Sequence, residues 1–453
     1  MKNIFLSYII CTLLGFIVAK DADAKVKSLN TLPGWPASTP FDMYSGYVHL
    51  KDSSKAIHYF LVESENDPAK DPLIIWFNGG PGCSSMMGLL AEHGPYMMAN
   101  NETTFKKNPY AWNKEASVLY VEQPAGVGFS YCSRANGAKD CHHNDNTSSV
   151  HNIQFLLQWY EKFPEFKRNA LYVSGESYAG IYVPYLTRQI HLHNKKKGVK
   201  KVNLKGMLVG NGVTNWKHDT ISAMMSTAYY RSIMDMETWD ELNENNCTGK
   251  SYFDNWSKKC VHLYVTWRKS VMDVNIYNIY GKCYTKKNSA TLNSSLSLAE
   301  VDGVPMEFQE ELTADDYTPW VKWSMGARAT AVGEGIATLS GEPEKEEMGI
   351  PPCTYAGPFV QLLNRKDVRQ QLNIPKNFTS PWRLCTHSHG FKYNISAKGS
   401  EWIYKELKGS GIEVLKFSGD QDSVVATIGT ENWINGMNWT ESKEWTYYHL
   451  KDN

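Results

Sequence analysis

The chain alternates between short continuous apolar runs and longer amphipathic stretches. Each apolar run stops at a glycine-rich or polar turn, a pattern typical of buried strands that end in loops. The predicted strands are 73–77, 117–121, 170–174 and 204–209. Residues 150–163 place apolar side chains at helical spacing, and a further helix is predicted to run to Leu186. This order of elements predicts the α/β class, with a mostly parallel sheet flanked by helices.

The pattern changes after residue 215. Helical segments follow, but 285–298 is polar and rich in serine and asparagine, and 341–349 is acidic. This composition is typical of an insertion that contains a loosely ordered stretch. The core pattern returns at 359–363, and the last clear strand is 413–417. The predicted divisions are a first core part at 25–215, a helical insertion (cap) with a flexible polar linker at 216–351, and a second core part at 352–453.

Composition and charge exclude several classes of protein. The 453 residues are 42% hydrophobic, and Lys+Arg and Asp+Glu both number 47. This balance creates no field that would hold nucleic acid or an anionic membrane surface. A lysine, an apolar stretch at 4–19 and small residues near Ala24 predict a cleaved signal peptide at 1–24. The stretch is shorter than the ~20 residues that span a bilayer, so we expect a mature protein of the secretory pathway with no membrane segment.

Eight cysteines remain after the predicted signal peptide, and their even number predicts disulfide bonds. No Cys-x-x-Cys pair indicates a metal site, and we expect neither a metal nor a cofactor. Cysteine spacing alone does not choose among the pairings. Glycosylation sequons agree with the secretory pathway. They begin at Asn101, Asn146, Asn246, Asn255, Asn293, Asn377, Asn394 and Asn438.

A serine follows the predicted strand at 170–174, in the segment 175–180 (GESYAG). A strand, a turn with small residues and a helix are together typical of a turn that exposes a nucleophilic hydroxyl above the strand ends. The usual pattern has glycine at the position of Ala179, so one methyl group slightly reduces the clearance. Ser177 is therefore the predicted nucleophile.

Three segments together resemble signatures of the serine carboxypeptidase family, of the cathepsin A and vacuolar carboxypeptidase type. They are 76–85 (WFNGGPGCSS), 122–131 (EQPAGVGFSY) and 175–180, and they occur in that family's order and spacing. Weaker matches extend from Leu32 to Trp433. The resemblance implies an α/β-hydrolase fold. It also implies release of C-terminal residues from peptides and proteins through an acyl-enzyme on Ser177, with an acid pH optimum.

The resemblance also implies a role for several other residues. The backbone N–H groups of Gly80 and Tyr178 would stabilise the oxyanion, and Asp422 would be the catalytic carboxylate. Either Asp420 or Asp422 could instead cap a helix that begins near Val424, and Asp420 fits that role better.

In this family the C-terminal carboxylate of the substrate is bound by four positions, which match Asn78, the amide of Gly79, Glu92 and Glu176. The two glutamates and the substrate carboxylate that they face cannot all be ionised at once, so these groups must share a proton. We therefore expect tighter peptide binding in acid and weaker binding as the pH rises. The alternative for Glu92 and Glu176 is a purely structural hydrogen-bonding role.

The same resemblance implies three disulfide bonds, Cys83–Cys385, Cys247–Cys260 and Cys283–Cys353. Cys132 and Cys141 remain, close together in a polar loop, and are expected to pair with each other.

The family's catalytic histidine lies in a Gly-His-x-Val-Pro motif well beyond the acid loop, and no such motif occurs before Asn453. His449 lacks the flanking residues, and His58, His93 and His387 have no motif support. We expect a truncated sequence, an inactive relative with a binding or protective role, or an acyltransferase of the same family, and we expect the chain as given to be inactive. The preferred C-terminal residue, processing into two chains, lysosomal, vacuolar or extracellular location, and the oligomeric state (a homodimer included) stay open.

Overall fold

The computed structural model describes residues 24–51, 53–98, 102–132, 141–251, 253–271, 273–283, 353, 357–386, 391–444 and 446. The predicted signal peptide apart from Ala24, the polar linker of the insertion, His387 and His449 lie outside these residues. The predicted domain boundaries stay predictions.

The central feature is an eight-stranded, mostly parallel sheet, which confirms the expected α/β architecture. Its strands are β1 (Met43–His49), β2 (Lys55–Val62), β3 (Leu73–Phe77), β6 (Ser117–Val121), β7 (Tyr131–Cys132), β9 (Leu171–Glu176), β10 (Leu204–Gly210) and β12 (Glu413–Phe417). The order is β1-β2-β6-β3-β9-β10-β12, and β7 pairs with β2. Strands β1, β2, β6 and β7 form the antiparallel pairings, and all pairings from β6 to β12 are parallel. Two small sheets join β4 (Tyr96–Met97) to β5 (Lys106–Lys107) and β8 (His142–Asn144) to β11 (Lys392–Asn394).

Apolar side chains cover both faces of the sheet. Successive residues of a strand point to opposite faces. In β3, Ile75 and Phe77 enter the apolar cluster on one face, whereas Trp76 enters the cluster on the other. In β6, Leu119 and Tyr120 divide in the same way. Because the side chains on both faces of β3 and β6 are buried, these strands are continuous apolar runs in the sequence.

Helices connect successive strands along the chain and pack on the sheet. They are α1 (Asp145–Lys162), α2 (Ala179–Lys195), α3 (Ile221–Tyr230), α4 (Met236–Glu244), α5 (Lys258–Ser270), α6 (Gly357–Leu363), α7 (Lys366–Gln371), α8 (Glu401–Leu407) and α9 (Thr427–Gly436), with shorter helical turns at Gly88–Glu92, Trp112–Lys114 and Pro164–Arg168. Helix α1 begins before the predicted residue 150 because Asn144 and Thr147 form a capping box.

Helices α3, α4 and α5 occupy the described part of the predicted insertion. Their side chains Met224, Leu242 and Trp267 belong to the same apolar cluster as one face of the sheet. The run at 359–363, where the core pattern returns in the sequence, lies in helix α6 and not in a strand. Among the described residues, no helix combines the length and the apolar character needed to cross a bilayer.

Candidate active site

The turn that carries Ser177 connects β9 directly to α2. Ser177 has φ 59°, in the left-handed region that residues other than glycine seldom adopt. Its N–H donates to the carbonyl of Gly210, and its carbonyl accepts from the N–H groups of Gly180 and Val213. These bonds hold a strained turn whose partly exposed serine lies beyond the end of the strand.

Small residues allow the strand and the helix to approach at this turn. A Cβ atom at Gly175 would lie 2.4 Å from the carbonyl oxygen of Phe77 and 2.6 Å from the Cβ of Ala179. A Cβ at Gly180 would lie 2.2 Å from the carbonyl oxygen of Val213. The methyl group of Ala179 is therefore accommodated because Gly175 has no side chain.

The loop after β3 lies against the nucleophile turn. A Cβ at Gly79 would lie 2.5 Å from the backbone nitrogen of Tyr178 and 2.8 Å from the Cβ of Ser177. Gly80 follows with φ 111°, a conformation that glycine adopts without strain. The loop after β3 thus lies directly against the amide of Tyr178 and the side chain of Ser177.

The buried side chain of Tyr178 holds the turn in place. It is fully buried, and its hydroxyl donates to Oδ1 of Asp145 at 2.6 Å. The hydroxyl of Tyr393 and the N–H of Ser396 also donate to this carboxylate. The backbone of Tyr178 is consequently fixed by a buried side-chain network, which the sequence analysis did not identify.

Asn78 brings two glutamates together next to the turn that carries Ser177. Its Nδ2 donates to Oε1 of Glu92 at 2.8 Å and to Oε1 of Glu176 at 2.9 Å. Its Oδ1 accepts from the indole of Trp76 and from the N–H of Gly88, so the amide can face only one way. Glu176 immediately precedes Ser177, so the cluster is joined directly to the turn that carries the serine.

The two carboxyl groups share a poorly solvated position. Burial and then the charge of Glu176 raise the pKa of Glu92 well above its usual value, against a smaller opposing effect of Asn78. Burial also raises the pKa of Glu176, and hydrogen bonds from Asn78 and Glu92 oppose that rise. Both pKa values are raised, so the pair as a whole retains a proton to a higher pH than an isolated glutamate does.

Asp422 lies in the loop after β12, at the same edge of the sheet as Ser177. Its Oδ1 and Oδ2 accept from the N–H groups of Val424 and Val425, at 2.8 and 3.1 Å. Burial is the largest effect that raises its pKa to about 7, and the nearby charge of Glu176 adds to the rise.

Asp420 does not have the capping role for which it was the better candidate. It forms a 2.7 Å ion pair with Arg231 at the surface, whereas Asp422 accepts the backbone N–H bonds. Asp422 lies two residues closer than Asp420 to the N–H groups of Val424 and Val425.

Asn211 connects the loop after β12 to the end of β10, since its side chain forms hydrogen bonds with both the N–H and the carbonyl of Gly419. The sequence pattern predicted the end of β10 but indicated no role for Asn211.

No histidine in the described part of the chain is hydrogen-bonded to Ser177 or Asp422. His58 is fully buried and bonds Oε2 of Glu122 and the hydroxyl of Ser45. This Ser–His–Glu chain is closed to solvent. It is therefore a core network and not a second catalytic site.

Glu122 is a buried residue that the sequence analysis passed over. Its carboxylate accepts from His58, from Ser84, from the N–H of Phe129 and from the indole of Trp382. A Cβ at Gly128 would lie 1.8 Å from Oε1 of Glu122. The segment 122–131 therefore folds around the buried carboxylate of Glu122, and the close approach requires glycine at position 128.

Four disulfide bonds are present, and they join the same pairs as those expected above: Cys83–Cys385, Cys132–Cys141, Cys247–Cys260 and Cys283–Cys353. The Cys83–Cys385 bond joins the loop after β3 to the chain near 385, and backbone hydrogen bonds reinforce it on both sides. The loop next to Ser177 is thus fixed at its far end.

Comparisons with known proteins agree with this architecture. A family model described as serine carboxypeptidase matches residues 33–453. The lysosomal protective protein of Mus musculus is 32% identical over 434 residues, which cover 94% of this chain and 84% of that protein. Serine carboxypeptidase-like 20 of Arabidopsis thaliana is 31% identical over 457 residues, covering 98% and 88%.

Among solved structures, Kex1(delta)p, a prohormone-processing carboxypeptidase from Saccharomyces cerevisiae, matches with a TM-score of 0.65 and 21% identity, over 94% of this chain and 84% of that one. This similarity establishes the α/β-hydrolase fold. With the matching family model and relatives, it follows that the chain belongs to the serine carboxypeptidase family.

Proposed function

We propose that this protein is a serine-type carboxypeptidase that releases C-terminal residues from peptides through an acyl-enzyme on Ser177. The observation that supports it best is the cluster of Asn78, Glu92 and Glu176 beside the exposed serine. An endopeptidase has no use for two carboxyl groups at this position. A protein that must recognise a free C-terminal carboxylate does.

In the proposed reaction, the hydroxyl of Ser177 attacks the last peptide carbonyl while a base removes its proton. The N–H groups of Gly80 and Tyr178 receive the developing oxyanion, and each such donor contributes about 2.7–4 kcal/mol of transition-state stabilisation. The C-terminal residue leaves as the amine, and water then hydrolyses the acyl-enzyme. Asp422 would orient the base.

Recognition of the substrate carboxylate would depend on the raised pKa of Glu92. A protonated carboxyl group donates a hydrogen bond to the substrate, and the N–H of Gly79 adds a further donor. Asn78, whose two N–H bonds are directed at Glu92 and Glu176, holds the two carboxyl groups in position. When Glu92 loses its proton, like charges face each other and binding weakens. The expected affinity is therefore greatest in acid and falls as the pH rises.

A second candidate function is peptide binding without turnover. It is favoured by the absence of any histidine bonded to Ser177 or Asp422 within the described residues. We place either form in the secretory pathway, because four disulfide bonds require an oxidising compartment.

Two measurements on the full chain separate these functions. A peptide with a free C-terminus should bind at pH 5 at least about tenfold more tightly than its C-terminal amide, since a charge-assisted contact contributes about 1.5–3 kcal/mol. Where a base reaches the serine, a fluorophosphonate probe should label Ser177, with Ser177→Ala as the control, and the peptide should lose its last residue; without a base, neither should occur.

Binding without labelling or release would select the binding function over the enzyme. Equal affinity for acid and amide would reject both, because neither function is compatible with a site that ignores the C-terminal carboxylate.

A further inference from the structure

The Cys132–Cys141 bond lies beside two histidines that the proposed function does not use. Cys132 ends β7, Cys141 immediately precedes β8, and His143 lies within β8. The two sulfur atoms and a ring nitrogen of His143 all lie within 4.8 Å of one another. The ring of His151, on helix α1, has its centroid 6.1 Å from that of His143.

The orientation of His143 is the one that zinc-ligating histidines adopt. Its ring is 2% exposed, and Nε2 donates to the carbonyl of Ala125 at 2.9 Å. Nδ1 is buried and has no hydrogen-bond partner among the described residues. Histidines that bind a metal usually donate their second ring N–H to a carbonyl or carboxylate in this way. The buried Nδ1 of His151 is also unpartnered within the described chain.

We propose that reduction of the Cys132–Cys141 bond turns this corner into a Zn²⁺ site, with Cys132, Cys141 and His143 as ligands and with water, or His151 after a rotation of its side chain, as the fourth. Two thiolates and imidazole nitrogen form the ligand set that zinc prefers. Tetrahedral geometry at the usual bond lengths separates such ligand atoms by about 3.5–3.8 Å. The two sulfur atoms, 2.04 Å apart in the disulfide, therefore separate by about 1.7 Å after reduction, and the ring nitrogen of His143, within 4.8 Å of both, needs to approach by at most about 1 Å.

Reduction requires a small-molecule thiol as the electron donor. Two donor thiols reduce the bond to two cysteine thiols and leave as one disulfide, and Zn²⁺ then displaces the two thiol protons. Lys55 is paired with Cys132 across the sheet, and a neighbouring cation favours the thiolate.

This bond is expected to open before the other three described disulfides. Both of its cysteines are partly exposed, whereas each other bond contains at least one buried cysteine: Cys385, Cys247 and Cys260, or Cys353. It also closes the shortest loop, with a sequence separation of 9 against 13, 70 and 302. A short loop gains the least from its cross-link.

The test uses the oxidised full chain, titrated anaerobically at pH 7.5 with glutathione. Alkylation and peptide mapping identify the bond that opens, and zinc is counted after gel filtration. We expect about one zinc per chain after reduction and almost none before it, and a thiolate-to-metal absorption band when Co²⁺ replaces Zn²⁺.

Variants show which residues bind the metal. His143→Gln retains a hydrogen-bond donor but should weaken zinc binding at least about tenfold, since even outer partners of ligands matter by that much. His142→Gln, an exposed neighbour, should leave it unchanged, and the double variant Cys132→Ser/Cys141→Ser should bind none. The proposal is overturned if another bond opens first, if the chain unfolds on reduction, if the oxidised chain binds equally well, or if His143→Gln has no effect.

Discussion

His93 should make the folded chain less stable in acid. The imidazole is 6% exposed and lies between the rings of Trp112 and Tyr120, with centroids at 4.2 and 5.5 Å. Its Nδ1 is 3.1 Å from the hydroxyl of Tyr120. Burial lowers the pKa of His93 from 6.5 to about 3.

A lowered histidine pKa means that protons bind the unfolded chain more readily, so stability is present at high pH and is lost as the pH falls through 6.5. Between pH 7.5 and pH 5 the expected loss from His93 alone is about 2 kcal/mol, from 1.36 kcal/mol per pH unit. Because pH 5 lies well above the folded pKa, this figure depends almost entirely on the unfolded value.

The perturbation is His93→Phe, which keeps an aromatic ring and removes the titration. Loss of the Tyr120 contact costs about 1–3 kcal/mol at both pH values and cancels in the comparison. Urea unfolding, followed by tryptophan fluorescence and circular dichroism, gives the free energy of unfolding at pH 7.5 and at pH 5. The wild type should lose about 2 kcal/mol more than the variant over this interval.

His142→Gln is the control, since that side chain is exposed in both states. Repeating the pair of measurements in a Glu92→Gln background removes any contribution from the neighbouring carboxyl group. The prediction would be refuted if the wild type and His93→Phe differed by less than about 0.5 kcal/mol in the unfolding free energy that they lose between pH 7.5 and pH 5. Such a result would mean that the buried ring is solvated or protonated in the folded state.

Three other variants test the remaining geometry. Glu92→Gln mimics the protonated acid, so peptide affinity measured by calorimetry should stay within about twofold from pH 5 to 7.5, while the wild type weakens at least about tenfold, or 1.4 kcal/mol. Gly128→Ala should lower the unfolding free energy by roughly 2–4 kcal/mol, since its Cβ would meet Glu122 at φ 55°; an unchanged melting temperature would contradict this. Ser177→Gly should be more stable than Ser177→Ala by about 1–2 kcal/mol because glycine tolerates the positive φ; equal stability would mean that the turn is unstrained.

The local elements could be predicted because their causes are local. Continuous apolar runs identified β3 and β6 since both faces of the sheet are buried at these strands. The glycines around Ser177 identified the turn since only small residues fit there. The sequence pattern did not decide the element type of residues 359–363, because a short apolar run has the same appearance in a buried strand and in a helix such as α6.

The sequence by itself therefore determined the class of fold and the position of a partly exposed serine, because side-chain periodicity and steric limits act between neighbours. Only the tertiary structure decided that Asn78 holds Glu92 and Glu176 together, that Asp422 and not Asp420 accepts the backbone bonds, and that Glu122 is enclosed by distant donors. Proton affinities and long-range hydrogen bonds depend on which distant segments exclude water from a group, and no local pattern encodes that.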